Sequence, residues 1–164
     1  TLKDVGLCGE SQQGRYYDRF RGRVIFPVLN PAGKVIAFGG RGIKGEAAKY
    51  INSPESLIYR KSNELYGIYQ AKNSIVRQDK CFLVEGYMDV IGMWQAGMEN
   101  VVASSGTSLT DGQIALIHRF TENVTLIYDG DSAGIKASLR GIDLLLSHNL
   151  NIKVLLLPEG EDPD

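Results

Sequence analysis

The sequence of 164 residues predicts an α/β fold, in which a mostly parallel sheet with flanking helices is joined to a smaller basic α+β lobe at the amino end. Two observations predict the sheet. From residue 81 onward short strands alternate with helical segments, and these strands are apolar without interruption, as strands covered on both faces are. The lobe is predicted from a hairpin pattern and a cluster of basic residues before residue 75. We therefore expect the lobe at 1–75 and the sheet domain at 76–164.

The amino-terminal lobe is predicted to contain one hairpin and little other regular structure. Residues 1–17 are polar and show no clear period. Two β-rich runs, 23–29 and 35–38, flank a turn of Asn, Pro, Ala and Gly at 30–33, which is typical of a hairpin. The remaining segments are expected to form a flexible bend at 39–42, a loop at 49–61 and a helix at 65–75.

The carboxyl-terminal half is predicted to alternate four strands with three helices. Thr110 and Gln113 have the spacing of a capping box, which indicates where one helix begins. The strands are expected at 81–84, 100–103, 124–128 and 152–157. The helices are expected at 88–96, 110–119 and 132–148.

The two halves carry opposite charge. Residues 15–61 contain ten Lys or Arg and three Asp or Glu, a net charge of +7, whereas residues 79–164 contain five and thirteen, a net of −8. Such a division is typical of a polyanion held beside a cation site, although two ordinary solvated surfaces would give it too.

No apolar run is long enough to span a bilayer. Cys8 and Cys81 form no CxxC pair, so we expect two reduced thiols and no zinc.

Acidic residues follow the predicted strands where ligands bind in parallel sheets, beyond the carboxyl ends. Glu85 follows the strand at 81–84, and Asp129 and Asp131 follow the strand at 124–128. Two carboxylates ~6 Å apart repel by roughly 3 kcal/mol at an effective dielectric of ~20, so such a pair needs a counter-charge. A hard divalent cation such as Mg²⁺ supplies it through oxygen ligands. Further acids at the same edge are Asp89, Asp162 and Asp164.

Five stretches together resemble the catalytic core of bacterial DnaG-type DNA primases. Two of them, LVEGYMDV at 83–90 and YDGDSAG at 128–134, are similar to a TOPRIM domain, a Rossmann-like fold shared by topoisomerases, primases and some nucleases. The other three agree with primases in particular and cover nearly the whole chain in order. They are YDRFRGRVIFP at 17–27, KYINSPE at 49–55 and LPEGEDPD at 157–164.

The resemblance implies a metal-dependent nucleotidyltransferase that makes short RNA primers on a single-stranded DNA template. It assigns catalysis and metal binding to Glu85, Asp129 and Asp131, with Glu85 either a ligand or a base, and places the other three acids around them. The metal would be Mg²⁺, with Mn²⁺ as a substitute. The residues expected to bind nucleotide phosphates and template are Arg19, Arg21, Arg41, Lys49, Tyr50 and Lys61.

The resemblance also implies partners and a place of action. The substrates would be ribonucleoside triphosphates and single-stranded DNA, the product an RNA primer, and the site the replication fork in the cytoplasm, without a membrane. The zinc module and the module that binds the replicative helicase in such primases are absent from the sequence given. Whether this stretch primes by itself therefore stays open.

Three other functions remain open at this point. A TOPRIM strand-passage enzyme would need a tyrosine nucleophile, and none of the eight tyrosines stands out. A TOPRIM nuclease or recombination mediator would degrade DNA without nucleotides. A noncatalytic binding module would keep the metal site and act only within a larger assembly.

Overall fold

The computed structural model describes residues 2–44, 48–106, 108–128, 141–158 and 163. The chain divides into two compact units, Thr1–Lys61 and Ser62–Asp164. The boundary expected after residue 75 between the lobe and the sheet domain stays a prediction. Four of the predicted acids and part of the helix expected at 132–148 lie outside the described residues. These acids are Asp129, Asp131, Asp162 and Asp164.

The first unit contains two small antiparallel sheets. The hairpin turn is where the sequence predicts it: the N–H of Gly33 donates to the carbonyl of Asn30 at 2.9 Å, and Gly33 has a φ of 82°, which favours glycine. One sheet pairs β1 with β2, and the other has the order β3-β4-β5. The strands are β1 Cys8–Glu10, β2 Tyr16–Asp18, β3 Arg23–Leu29, β4 Val35–Gly42 and β5 Tyr50–Asn52.

Two predictions for this unit are wrong. The segment 39–42 is no bend, because β4 continues to Gly42 and all four of these residues pair with β3. Gly40 is needed there for space: a Cβ would lie 2.8 Å from the ring of Phe20 and 3.1 Å from the side chain of Arg23. The loop expected at 49–61 begins with β5, whose three residues pair with β4. Strand pairing has overridden the low β propensity of Gly39 and Gly40, whereas Tyr50 and Ile51 of β5 are residues that favour strands.

The second unit is a four-stranded parallel sheet with the order β7-β6-β8-β9. Every predicted strand of this half is present within one residue at each end. The predicted capping box is confirmed, since Thr110 Oγ1 accepts from the N–H of Gln113 at 3.3 Å. A short 3-10 helix, Lys61–Asn63, crosses the division between the units. The elements are α1 Ile68–Gln78, β6 Cys81–Val84, α2 Tyr87–Gln95, β7 Val101–Ala103, α3 Asp111–His118, β8 Asn123–Tyr128, α4 at 141–147 and β9 Asn151–Leu156.

The sheet carries the core of the second unit. All three residues of β7 and residues 124–127 of β8 are buried, so both faces of these strands are covered. The edge strand β9 differs from the prediction of full burial, because Val154, Leu155 and Leu156 stay 41–49% exposed. Within the described ranges, no helix is both long and apolar enough to cross a membrane.

Candidate active site

Glu85 is the first residue beyond the carboxyl end of β6, as the sequence predicts. Its side chain is half-buried. The neighbouring strand β7 runs parallel to β6, and the chain that follows it continues the ladder: the N–H of Ser105 donates to the carbonyl of Glu85 at 3.0 Å. The backbone that carries Glu85 is therefore fixed from both sides, by its own strand and by the loop after β7.

Asp89 lies in the first turn of α2 and has a structural task. Its Oδ2 accepts a hydrogen bond of 2.7 Å from the N–H of Gly86, the residue just before the helix. A carboxylate in this position satisfies an otherwise unpaired helix N–H and interacts favourably with the helix dipole. The same contact folds the α2 turn back toward Glu85, so both acids belong to one short turn at the edge of the sheet.

Tyr87 packs in the core instead of facing a ligand. It is buried, and its ring meets the ring of Tyr66 edge to face, with centroids 4.7 Å apart. Tyr66 in turn pairs with Ala103 at the end of β7 through two backbone hydrogen bonds of 2.9 and 3.0 Å. The aromatic pair therefore holds α2 and the approach to α1 in place around the edge where Glu85 lies.

The described residues contain two of the six acids predicted for the metal site. Glu85 and Asp89 provide carboxylate oxygens, which suit a hard cation such as Mg²⁺. The other predicted acids are outside the described ranges, although β8 ends at Tyr128, directly before Asp129. No group of three His, Cys, Asp or Glu that could hold a metal occurs within residues 2–44, 48–106, 108–128, 141–158 and 163. The carboxylate donors of Glu85 and Asp89 fit a hard cation, and the other four predicted ligands lie beyond these ranges.

Glu64 is an unusual acid that sequence reasoning missed. Its Oε2 is buried and has no hydrogen-bond partner in the described part of the chain, and burial raises the pKa of its carboxyl. Its backbone carbonyl accepts from Nε2 of Gln113 at 3.0 Å, which fixes the residue beside α3. The only sequence feature that marks Glu64 is its position directly before Leu65, a buried residue. That feature is too weak to identify Glu64 as an unusual acid.

Three predicted binding residues come together in the first unit. Tyr50 opens β5 directly across from Arg41 in β4. The guanidinium of Arg41 lies 5.7 Å from the centre of the Tyr50 ring, and Nζ of Lys49 lies 6.0 Å from it. Two cations around one aromatic ring form a compact positive cluster that suits a phosphate or an unpaired nucleotide.

The arginines of the segment 15–23 have different tasks. The alternation of Arg19, Arg21 and Arg23 predicts one shared strand face, but Arg19 and Arg21 lie in the turn between β2 and β3. Arg23 begins β3, and its guanidinium donates to the carbonyl of Ala48 at 2.9 Å. It therefore stabilises the fold. Lys61 is the last residue of the first unit. Its backbone N–H donates a hydrogen bond of 2.9 Å to Oε1 of Glu55.

Comparison with known families decides what this arrangement belongs to. Residues 1–72 match the N-terminal domain of the DNA primase catalytic core, and residues 82–164 match the Toprim-like family. The chain belongs to the DnaG-type DNA primase family and carries a Toprim-like domain. The expected resemblance and fold class are confirmed.

Individual relatives agree. The DNA primase of Halalkalibacterium halodurans is 47% identical over 167 residues, which cover 99% of this chain and 28% of that relative. A DNA primase domain from Pseudomonas aeruginosa superposes with a TM-score of 0.93 at 42% identity, over 99% of this chain and 52% of that one. A DnaG primase catalytic domain bound to ssDNA gives 0.92 at 43% identity, over 99% and 54%. The chain thus spans less than a third of the curated relative and about half of the solved domains.

Proposed function

We propose that this chain belongs to the catalytic core of a DNA primase, which synthesises short RNA primers on single-stranded DNA with the help of divalent metal. The observation that carries the proposal is that both halves of the chain match primase sequences and structures in order. The reaction is attack of a ribonucleotide 3′-hydroxyl on the α-phosphorus of an incoming triphosphate, with pyrophosphate as the leaving group. Residues 1–75 and 76–164 are proposed as its basic lobe and its Toprim domain.

The acids at the carboxyl edge of the parallel sheet are proposed to hold the metal. Toprim-like domains are in general metal-binding, and the described donors are carboxylates. Mg²⁺ is the proposed ion because it prefers oxygen ligands and shares them with substrate phosphates. Bound there, it would stabilise the attacking and leaving oxygens. The proposed ligands are Glu85, Asp89, Asp129, Asp131, Asp162 and Asp164.

Glu85 is the proposed residue nearest the chemistry on this chain. Its carboxylate either contributes an oxygen ligand or accepts the proton of the attacking hydroxyl, and both tasks need a fixed position. Two features of the second unit supply that position: the strand β6 that ends at Val84, and the hydrogen bond from Ser105 to the Glu85 carbonyl. Asp89 keeps the following turn closed through its bond to Gly86.

The basic lobe is proposed to bind phosphates of nucleotides and template. Arg41 and Lys49 around Tyr50 are proposed for the triphosphate, because two cations can share its charge. Lys61 is proposed for nucleotide phosphates as well, and Arg19 and Arg21 are proposed for the template backbone, which they would contact without reading sequence. The same proposal makes an RNA primer the product and the replicative helicase a partner. It also places the reaction at the replication fork.

A chimeric primase tests this function directly. The 167 matching residues of the H. halodurans DNA primase would be replaced by this chain, and RNA synthesis on a single-stranded DNA template would be followed with labelled ribonucleotides. We expect RNase-sensitive primers that require divalent metal, and their loss in a chimera with Glu85→Gln. A folded chimera that makes no primers, or one in which Glu85→Gln has full activity, would overturn the proposal.

Lys49 and Lys34 provide a matched pair within the same chimera. Both are exposed lysines of the basic lobe, but only Lys49 lies at the Tyr50 ring. Lys49→Ala should reduce primer yield and leave the melting temperature nearly unchanged, because removal of an exposed side chain usually shifts stability by about 0.5 kcal/mol or less. Lys34→Ala should leave both unchanged. Equal loss of primer yield in the two variants would mean that the overall positive charge of the lobe supports synthesis, and that Lys49 makes no specific phosphate contact.

A further inference from the structure

The two-stranded sheet of the first unit presents an aromatic ring in an unusual setting. Tyr17 on β2 is directly paired with Gly9 on β1. A Cβ on Gly9 would lie 2.3 Å from Cζ and 2.4 Å from Oη of Tyr17, so the outer half of the ring occupies the space that any other side chain at residue 9 would fill. Gly9 is therefore needed for space, and the ring rests on the backbone of β1.

This packing leaves the ring well placed to contact a ligand. Tyr17 is 53% exposed although one side of its ring covers Gly9. A ring supported on one side and open on the other loses little conformational freedom on binding, which lowers the entropic cost of stacking. An open depression of about 780 Å³ adjoins it, with apolar side chains of Leu2, Leu7 and Cys8 in its wall.

The surrounding charge selects the class of ligand. Arg15, Arg19 and Arg21 lie within four residues of Tyr17 in sequence, and Asp18 is the only acid in that stretch. Within the ranges that the structure describes, none of these three guanidinium groups has a hydrogen-bond or ion-pair partner. Cations interleaved with an open aromatic face are typical of proteins that bind single-stranded nucleic acid, where phosphates meet the cations and bases stack on the ring.

We propose that the open face of the Tyr17 ring is a stacking platform for an unpaired base of single-stranded DNA. The inference rests on the proposed function, in which the arginines contact only phosphates. It adds a contact between Tyr17 and a base. The platform carries no sequence information, because every base has an aromatic face. It holds the template strand in register while the arginines neutralise its backbone.

Binding to two oligonucleotides separates the base contact from the phosphate contacts. Fluorescence anisotropy would give the Kd of this chain for a labelled oligo-dT and for an equally long strand of abasic sites, which keeps the phosphates. Stacking is worth ~1–3 kcal/mol per base, so Tyr17→Ala should weaken binding to oligo-dT about fivefold or more. Binding to the abasic strand and the salt dependence should stay unchanged, and Tyr17→Phe should restore affinity.

Further variants keep the test decisive. Tyr17→Leu preserves apolar packing on Gly9 without an aromatic face, and it replaces Tyr17→Ala if that variant does not fold. Gly9→Ala displaces the ring from its support and should weaken oligo-dT binding as Tyr17→Leu does. Tyr69→Ala is the control, since Tyr69 is exposed beside Lys72 on α1 of the second unit.

The outcomes distinguish the inference from the proposed function. If the unmodified chain binds neither strand, or binds without salt dependence, the proposed template function fails and the inference with it. If it binds both strands with a steep salt dependence, and Tyr17→Leu binds oligo-dT as tightly as the unmodified chain, the stacking platform is wrong while the template function stands. An equal loss in Tyr69→Ala would likewise overturn the assignment to Tyr17.

Discussion

The backbone N–H of Ser105 donates a 3.0 Å hydrogen bond to the carbonyl of Glu85, the acid that follows β6. Ser105 has a φ of 57°, in the left-handed region that few non-glycine residues adopt. Ser105, in a strained conformation, therefore anchors the backbone of Glu85, the proposed metal ligand. Strain of this kind persists only where surrounding structure imposes it, and it is often found at functional sites.

Substitution of Ser105 tests this anchor. Ser105→Gly keeps the N–H and accepts a positive φ, so stability should change by no more than about 1 kcal/mol and Mn²⁺ affinity should be retained. Ser105→Pro removes the donor and fixes φ near −65°, so it should lower the melting temperature and weaken Mn²⁺ binding. Calorimetric titration with Mn²⁺ measures the second effect. Unchanged Mn²⁺ affinity in a folded Ser105→Pro protein would show that the anchor has no bearing on the site.

Glu64 should destabilise the protein at neutral pH. Burial raises the pKa of its carboxyl above the ordinary 4.5, so the folded chain holds this proton more firmly than the unfolded chain does. Stability from this group therefore falls as the pH rises above about 4.5, and the penalty is absent at lower pH. Glu64→Gln should raise the melting temperature at pH 7, with a difference that shrinks toward pH 4. The exposed Glu122→Gln is the control, and equal behaviour of both variants would contradict the prediction.

The two cysteines should differ in reactivity toward a thiol reagent. Cys81 is fully buried, and burial raises the pKa of its thiol to about 12, whereas Cys8 is half-buried. Because the thiolate is the reactive form, the native protein should be labelled rapidly at one thiol and at the second only after unfolding. Cys8→Ser should abolish the rapid phase and Cys81→Ser should keep it. Rapid labelling of both thiols in the native protein would contradict the buried position of Cys81.

Arg19 and Arg21 should set the salt dependence of DNA binding. Each phosphate contact to a single strand contributes ~0.7 to the slope of log K against log salt concentration. The double change to Ala should therefore lower that slope by about 1.4, as measured by anisotropy over a salt series. Arg119→Ala in the second unit should leave the slope unchanged. If the slope is the same in all three proteins, the template lies elsewhere.

The sequence predicted the second unit well because its signals are local. Short apolar runs in the sequence mark β6, β7, β8 and β9, and the capping box at Thr110 marks the start of α3. Apolar strand segments and helix caps depend on residues close together in the chain. They can therefore be recognised without knowledge of the folded structure.

The first unit was harder to predict because its strands depend on partners distant in sequence. β4 extends through Gly39 and Gly40, whose propensity argues against a strand, because β3 and β5 pair with it and Phe20 fills the space above Gly40. The capping bond of Asp89 and the buried Oε2 atom of Glu64 likewise arise from the folded chain alone. Propensity carries no information about such contacts.

Electron paramagnetic resonance of Mn²⁺ tests the central claim, a divalent metal centre at the carboxyl edge of the parallel sheet, most directly. The chain would be titrated with Mn²⁺, and free ion would be measured for the unmodified protein, for Glu85→Gln, for Asp129→Asn with Asp131→Asn, and for the control Glu122→Gln. We predict at least one site that Mg²⁺ displaces, weakened by Glu85→Gln, lost in the double variant and retained in the control. Mn²⁺ binding that is absent from the unmodified protein, or unchanged in the folded double variant, would contradict the account.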